Sequence, residues 1–350
     1  MRTIGLVILA SLVVPGGAHG LTFNGTCDAS AAVAVGAQRF LVGDDEGNVL
    51  RLYDAQHPEA KPVPAIDLSS LIDPQHPDEV KEIDVEGAAQ LGKRVFWITS
   101  HGRNDEGELR PVRHQLFATE LSTTGQKATA SGKLYAGLVA ALLDNKEYAA
   151  LLESAAKPTV TKDPDLAPKG RGLNIEGLAA GDDDKSLLIG FRNPIGEKGA
   201  LIVPLLNPDE VVDAGASPKF GDPIVLDLAV NGEHLGIRSM ELVKESGGRV
   251  YYIIAGTRDE REKFALFRWS GKASEQPKLV IAFNDFKPEA VFADSAKEGR
   301  LVLLSDDGKV SMPAASAAEC KKNKFADGHC DCKDLKDPAR RQFRTMAIEP

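Results

Sequence analysis

Between Ala31 and Val310 the chain returns five times to one pattern: a run of small or apolar residues, a polar turn, an apolar run, a polar loop, and a second alternating run. The first copy reads Ala31 to Val35, Arg39 to Val42, the loop Gly43 to Asn48, then Val49 to Tyr53. The second is Val85 to Ala89, Val95 to Ile98, a loop starting Ser100-His101-Gly102-Arg103-Asn104, then Gln115 to Ala118. The third is Ile175 to Ala179, Leu187 to Ile189, the loop Phe191 to Pro194, then Ala200 to Val203. The fourth is Ile237 to Met240, Val250 to Ile254, the loop Gly256 to Asp259, then Phe264 to Phe267. The fifth is Pro288 to Phe292 and Leu301 to Leu304, followed by Ser305 to Gly308. Several copies carry a further apolar run after a proline, as in Pro64 to Leu68, Pro223 to Leu228 and Pro277 to Ile281.

Short runs with period-two alternation are strands, and three to four of them per unit make a small antiparallel sheet. One such sheet cannot cover both of its faces, whereas tandem sheets packed radially cover one another. The chain is therefore expected to be all-β, a β-propeller of five blades, with a sixth accommodated only if the long second interval hides one. A sandwich or a two-domain β protein is the competing architecture. Leu21 to Phe23 and Arg341 to Met346 are placed to join the fifth unit and close the ring. The regularity breaks from Leu134 to Ala156, where Leu134, Leu138, Leu142, Leu151 and Leu152 recur at helical spacing, which predicts a helical insertion between units two and three.

The first twenty residues follow a different rule. Arg2 precedes the apolar run Ile4 to Val14, which is too short to span a bilayer, and small residues at Ala18 and Gly20 follow Pro15-Gly16-Gly17. That is the pattern of an export signal, so residues 21–350 are expected as one propeller domain that is periplasmic or secreted, without a membrane span and monomeric. In an oxidising compartment the even set Cys27, Cys320, Cys330 and Cys332 suggests two disulfides, with three connectivities open. Zinc held by Cys320, Cys330, Cys332 and His329 is the alternative. With 42 Lys and Arg against 51 Asp and Glu, the formal charge is −9. That balance removes nucleic acid from the partner classes, because gripping the phosphate backbone asks for clustered cations.

Superimposing the repeats on a propeller brings two sets of residues to one rim of the channel. Glu86, Glu176, Arg238 and Glu289 come from the first strands, with Ser30 or Ala31 at the matching place in unit one. The loops add Asp44 and Asp45, His101, Arg103 and Asn104, Arg192 and Asn193, Arg258, and Asp306 and Asp307. Three chemistries are open to such a rim. Glu86, Glu176 and Glu289 could hold a hard divalent cation such as calcium through oxygen ligands. Arg103, Asn104, Arg192, Asn193 and Arg238 could orient a small anionic molecule. Glu86, Glu176 and His101 could serve as general acid or base. In the alternative, each Glu-Gly only neutralises a neighbouring arginine, the Asp-rich loops are plain hairpin turns, and the propeller binds or scaffolds a protein partner. Glycine elbows around serine, nucleotide loops and zinc-protease motifs are absent from the sequence.

The strings Gly172 to Ala179, Leu188 to Pro194, Val203 to Pro208, Ser100 to Asn104 and Cys332 to Leu335 resemble a bacterial family known as domain of unknown function 3616. That resemblance implies no established reaction. More loosely, the Glu-Gly strand starts resemble those of phytase-like esterase propellers and lactonase propellers. This second resemblance implies channel carboxylates holding a metal, and with it metal-assisted hydrolysis of a phosphate or ester bond. Arg238 departs from the pattern by replacing a carboxylate in unit four, and unit one has no charge at that place.

Overall fold

The computed structural model describes residues 20–36, 38–122, 127–259 and 261–350. The expected export signal lies outside them, apart from Gly20. Five four-stranded antiparallel sheets follow one another around a central channel. From the channel outward, blade 1 is Ala31–Ala34, Arg39–Gly43, Val49–Asp54 and Val63–Asp67. Blade 2 is Val85–Leu91, Arg94–Thr99, Leu116–Leu121 and Ala128–Ala130. Blade 3 is Asn174–Ala180, Leu187–Gly196, Gly199–Leu205 and Ile224–Leu226. Blade 4 is Gly236–Glu245, Gly248–Gly256, Phe264–Trp269 and Lys278–Phe283. Blade 5 combines both ends of the chain: Pro288–Ala293 and Leu301–Ser305, then the late strand Gln342–Ile348, then the early strand Thr22–Asn24 outermost. The five-bladed propeller legible in the repeat is thus the fold, and the sixth blade is absent among the described residues.

The core is divided as this geometry requires. Each pair of neighbouring blades encloses its own apolar cluster. Phe23, Phe40, Tyr53, Phe292 and Phe343 fill the seam between blades 5 and 1, where the ring closes, with Phe23 edge-on to Phe40 and Tyr53 and stacked on Phe343. Trp97 is fully buried between blades 1 and 2, and Trp269 between blades 3 and 4. Their indole N–H groups donate to Thr119 Oγ1 and to the carbonyls of Lys272 and Glu275, so neither polar atom is stranded.

The insertion is shorter than its leucine spacing predicts. Two helices, Leu138–Asp144 and Lys146–Ala156, meet at Asn145, whose side chain accepts from Glu147 N and caps the second. Leu138, Leu142, Tyr148 and Leu152 enter the core shared by blades 2 and 3. Leu134 instead packs against the core between blades 1 and 2, because Tyr135 pairs with Leu116 as a strand-like bridge. Leu151 faces outward, 41% exposed. A second departure is Phe191 to Pro194, expected as a loop, which continues the ten-residue strand Leu187–Gly196 with a cis bond at Asn193–Pro194. The helix Pro208–Ala214, unanticipated from the pattern, lies between the last two strands of blade 3.

All four cysteines are in disulfides, Cys27 with Cys332 and Cys320 with Cys330, which overturns the zinc alternative. Among the described residues no helix is long and apolar enough to cross a membrane.

Candidate functional site

The innermost strands carry one irregularity in common. In blade 2, Val85 pairs with Thr99 and Gly87 with Ile98, so Glu86 is skipped. Glu176 is skipped in the same way in blade 3, Arg238 in blade 4 and Glu289 in blade 5. A bulge residue leaves the ladder and its side chain is re-aimed, so four successive blades turn a charged side chain toward the channel at the same height. The residue that follows is small for a steric reason. A Cβ on Gly177 would come within 2.6 Å of Ile237 Cγ2 in the next blade, and one on Gly87 within 2.9 Å of Leu178 Cβ.

These four side chains line a cavity of about 130 Å³ with Asp28, Asp45, Arg192, Asp306 and a rim of lysines. Glu176 is its fixed point. It is 2% exposed, and its Oε1 accepts from Arg192 Nη1 (2.7 Å) and Asn174 Nδ2 (2.8 Å) while Oε2 accepts from Arg238 Nη1 (3.1 Å). Arg238 Nη1 also donates to Glu289 Oε1 (2.6 Å), and its Nη2 to the Thr257 carbonyl. Arg192 Nη2 donates to the Arg258 carbonyl. Every Nη atom of both arginines is therefore engaged, and the buried Nε of each is without a partner among the described residues.

Glu86 is different. It is buried, and among the described residues it makes no hydrogen bond. Burial, followed by repulsion from Glu176, Asp84, Asp45 and Glu289, pushes its carboxyl well above the usual range. Burial likewise raises Asp28 and Asp45, each helped by its acidic neighbours. Glu289 is raised to about 7 by burial against the opposing pull of Arg238. Asp306 moves the other way: burial would raise it, but hydrogen bonds from Asp28 and from Gly308 N hold it below the usual range. Carboxyls outnumber cations eight to six along the cavity, so repulsion among them adds to burial in favouring the protonated form. One cavity thus holds a carboxyl pushed toward its protonated form, Glu86, and one held below the usual range, Asp306.

The remaining sequence-derived candidates are elsewhere. His101 does not line the cavity; its Nδ1 contacts the Thr99 carbonyl, and burial, with His114 beside it, holds it down at about 3. It is neutral at physiological pH and stands apart from the carboxyls. Arg103 is 3% exposed, and its guanidinium donates to the carbonyls of Gly107, Lys157 and Val160, tying the end of the insertion to blade 2. Asn104 closes a local turn with Glu108. Asp44 is held by Arg51, and Asp307 by Arg344. Asn193 and Arg258 line a separate cavity. In unit one the charges at the channel come from Asp28 and from the loop candidate Asp45 rather than from the Ser30 or Ala31 position that the repeat indicates.

A resident metal does not fit this arrangement. Glu176 has given both oxygens to Asn174 and the arginines, and Glu289 faces Arg238. Among the described residues no group of three or more His, Cys, Asp or Glu side chains is placed to hold a metal ion.

The raised carboxyls carry a sign for stability. Glu289 and Glu241, both pushed to about 7 chiefly by burial, and Glu82, at about 6 for the same first cause, keep protons in the folded state that the unfolded chain has released. Between about pH 4.5 and pH 7 the folded state therefore binds more protons, and stability falls as pH rises through that window. Thermal unfolding is expected several degrees higher at pH 5 than at pH 8. Glu241→Gln, which keeps an acceptor for Ala293 N, should flatten the slope, and an unchanged slope would show that Glu241 ionises freely.

A family model described as "Protein of unknown function (DUF3616)" matches residues 115–299. No curated protein matches the sequence. Among solved structures, a putative oxidoreductase (glucose dehydrogenase) from Thermus thermophilus is 13% identical, with TM-score 0.41, over 93% of this chain and 98% of that one. A bifunctional GH43-CE protein of Bacteroides eggerthii is 12% identical, with TM-score 0.44, over 82% and 32% of the two chains. The Niastella koreensis GH74 enzyme is 12% identical, with TM-score 0.37, over 81% and 34%.

Proposed function

This chain belongs to the DUF3616 family, and we propose that its channel mouth hydrolyses a C–O bond, of the ester or glycosidic kind, in a small uncharged polar molecule. The observation that carries this reading is Glu86: a buried carboxyl without a hydrogen-bond partner, facing a cavity lined by charged groups and pushed toward its protonated form. Glu86 donates its proton to the leaving oxygen. Asp306, held ionised by Asp28 and Gly308 N, accepts one from the attacking water. Glu176 and Glu289 with Arg192 and Arg238 form the paired frame that keeps both in place. An uncharged substrate is favoured over a phosphate ester because the carboxyls are in excess and both arginines already face carboxylates. The same reading takes residues 21–350 as one exported propeller, which the two disulfides support.

The test is hydrolysis of 4-nitrophenyl esters and 4-nitrophenyl glycosides by the oxidised protein, beside its Glu86→Gln variant. Loss of the acid should lower kcat by about 10²- to 10⁴-fold, while thermal stability holds or rises because a repelled carboxyl has been removed. Full turnover by the variant, or none by the parent protein on either panel, would overturn the proposal.

A further inference from the structure

Arg192 and Asn193 are adjacent in one strand, so their side chains leave it on opposite sides. Arg192 enters the channel site, and Asn193 faces a second, larger cavity of about 300 Å³ between the helical insertion and blade 3. Among the described residues no carboxylate lines this cavity, and three cations do: Lys157, Arg171 and Arg258. Lys157 makes a long pair with the half-buried Asp163 at 3.8 Å, and Arg171 an exposed pair with Asp165 at 2.7 Å, which water and salt weaken. The side chain of Arg258 is exposed. The other wall is apolar, made by Leu166, Pro194 and Ile195.

Asn193 gives the cavity a second polar requirement. Its residue is fully buried, and its Nδ2 donates to the carbonyls of Pro168 (2.9 Å) and Gly170 (3.4 Å), which fixes the orientation of the amide. The opposite atom, Oδ1, is buried without a donor. A buried amide oxygen left unpaired is costly, and Asn193 lines the cavity, so a ligand hydroxyl or N–H that reached Oδ1 would remove that cost.

We propose that this cavity binds a small organic carboxylate that carries a hydrogen-bond donor on an apolar body. The carboxylate meets Arg171 and Arg258, the body lies on Leu166, Pro194 and Ile195, and the donor reaches Asn193 Oδ1. The site is distinct from the channel and independent of the hydrolysis proposed there, although the Arg258 carbonyl that anchors Arg192 joins the two structurally.

The experiment is calorimetric titration of the oxidised protein with three probes: 4-hydroxyphenylacetate, phenylacetate, which lacks the donor, and 4-hydroxyphenethyl alcohol, which lacks the charge. Saturable binding of the first is expected, about tenfold weaker for each of the others. Arg258→Ala should weaken it severalfold, and Ile195→Trp, which fills the cavity from a half-buried position, should remove it with the melting temperature retained. Glu86→Gln should bind as the parent does. Absence of saturable binding by both acids, equal affinity of all three probes, or undiminished binding to Ile195→Trp would overturn the proposal. Loss of binding in Glu86→Gln would overturn it too, by moving the ligand into the channel.

Discussion

Replacing Glu176 with alanine is expected to cost the protein about 3–5 kcal/mol of stability, the range found when one partner of a buried ion network is removed. The cause is what remains. Arg192 and Arg238 are 7% and 5% exposed, and with Glu176 gone Arg192 keeps only a carbonyl, while Arg238 keeps Glu289 and a carbonyl. Two buried guanidinium groups would then share one carboxylate. Unfolding entropy of about 2.1 cal/mol/K per residue converts this loss into a fall in Tm of about 4–7 °C. Arg238→Gln alone should also destabilise, since it leaves Glu176 and Glu289 facing each other with one cation fewer. The double variant Glu176→Ala with Arg238→Gln is the decisive measurement. Because the two side chains share a hydrogen bond, the combined loss should fall short of the sum of the single losses by about 1 kcal/mol or more. Strict additivity would mean that the frame is held by its backbone alone, and the paired charges would lose their assigned role.

That network also marks the boundary of what the sequence discloses. The blades are legible because each repeats the same alternation and turn, and because every sheet must hide two faces. The height of the site is legible too, since Glu-Gly at Glu86 and Glu176 places a charge on a bulge and a minimal residue where the next blade presses closest. What a side chain does once there depends on contacts across blades, about which local pattern is silent. Arg103 and Arg192 look alike as loop arginines, yet one ends a helix and the other braces a carboxylate. Arg192 and Asn193 look like one anion clamp, and strand alternation sends them to different cavities. Asp28 escapes the repeat pattern because unit one has no bulge there. It reaches the channel from the segment before the first strand, through a bridge to Asp306. The one hint is its position directly after Cys27.

The pairing of that cysteine leads to the larger effect. Exchanging both Cys27 and Cys332 for serine should destabilise the fold by about 5–6 kcal/mol, because the bond closes a loop across a separation of 305 residues and removes that much conformational freedom from the unfolded chain in the loop-entropy model. Exchanging Cys320 and Cys330, separated by 10 residues, should cost about 2–3 kcal/mol in the same model. The expected falls in Tm are about 8 °C and about 4 °C. The difference has a native-state counterpart. Blade 5 is built from both chain ends, with Thr22–Asn24 paired only to Gln342–Ile348 at its outer edge, so opening the ring requires peeling one short strand. The Cys27–Cys332 bond lies beside that seam, and the Cys27 carbonyl accepts from Asp307 N at 2.9 Å. Reduction should therefore expose the N-terminal strand to proteolysis before any other blade. It should also loosen Asp28 against Asp306, so that the hydrolysis proposed for the channel mouth is expected to decline at temperatures where the other blades remain folded. Equal losses from the two disulfide variants, or first cleavage within blades 2 to 4, would contradict a ring held shut at this seam.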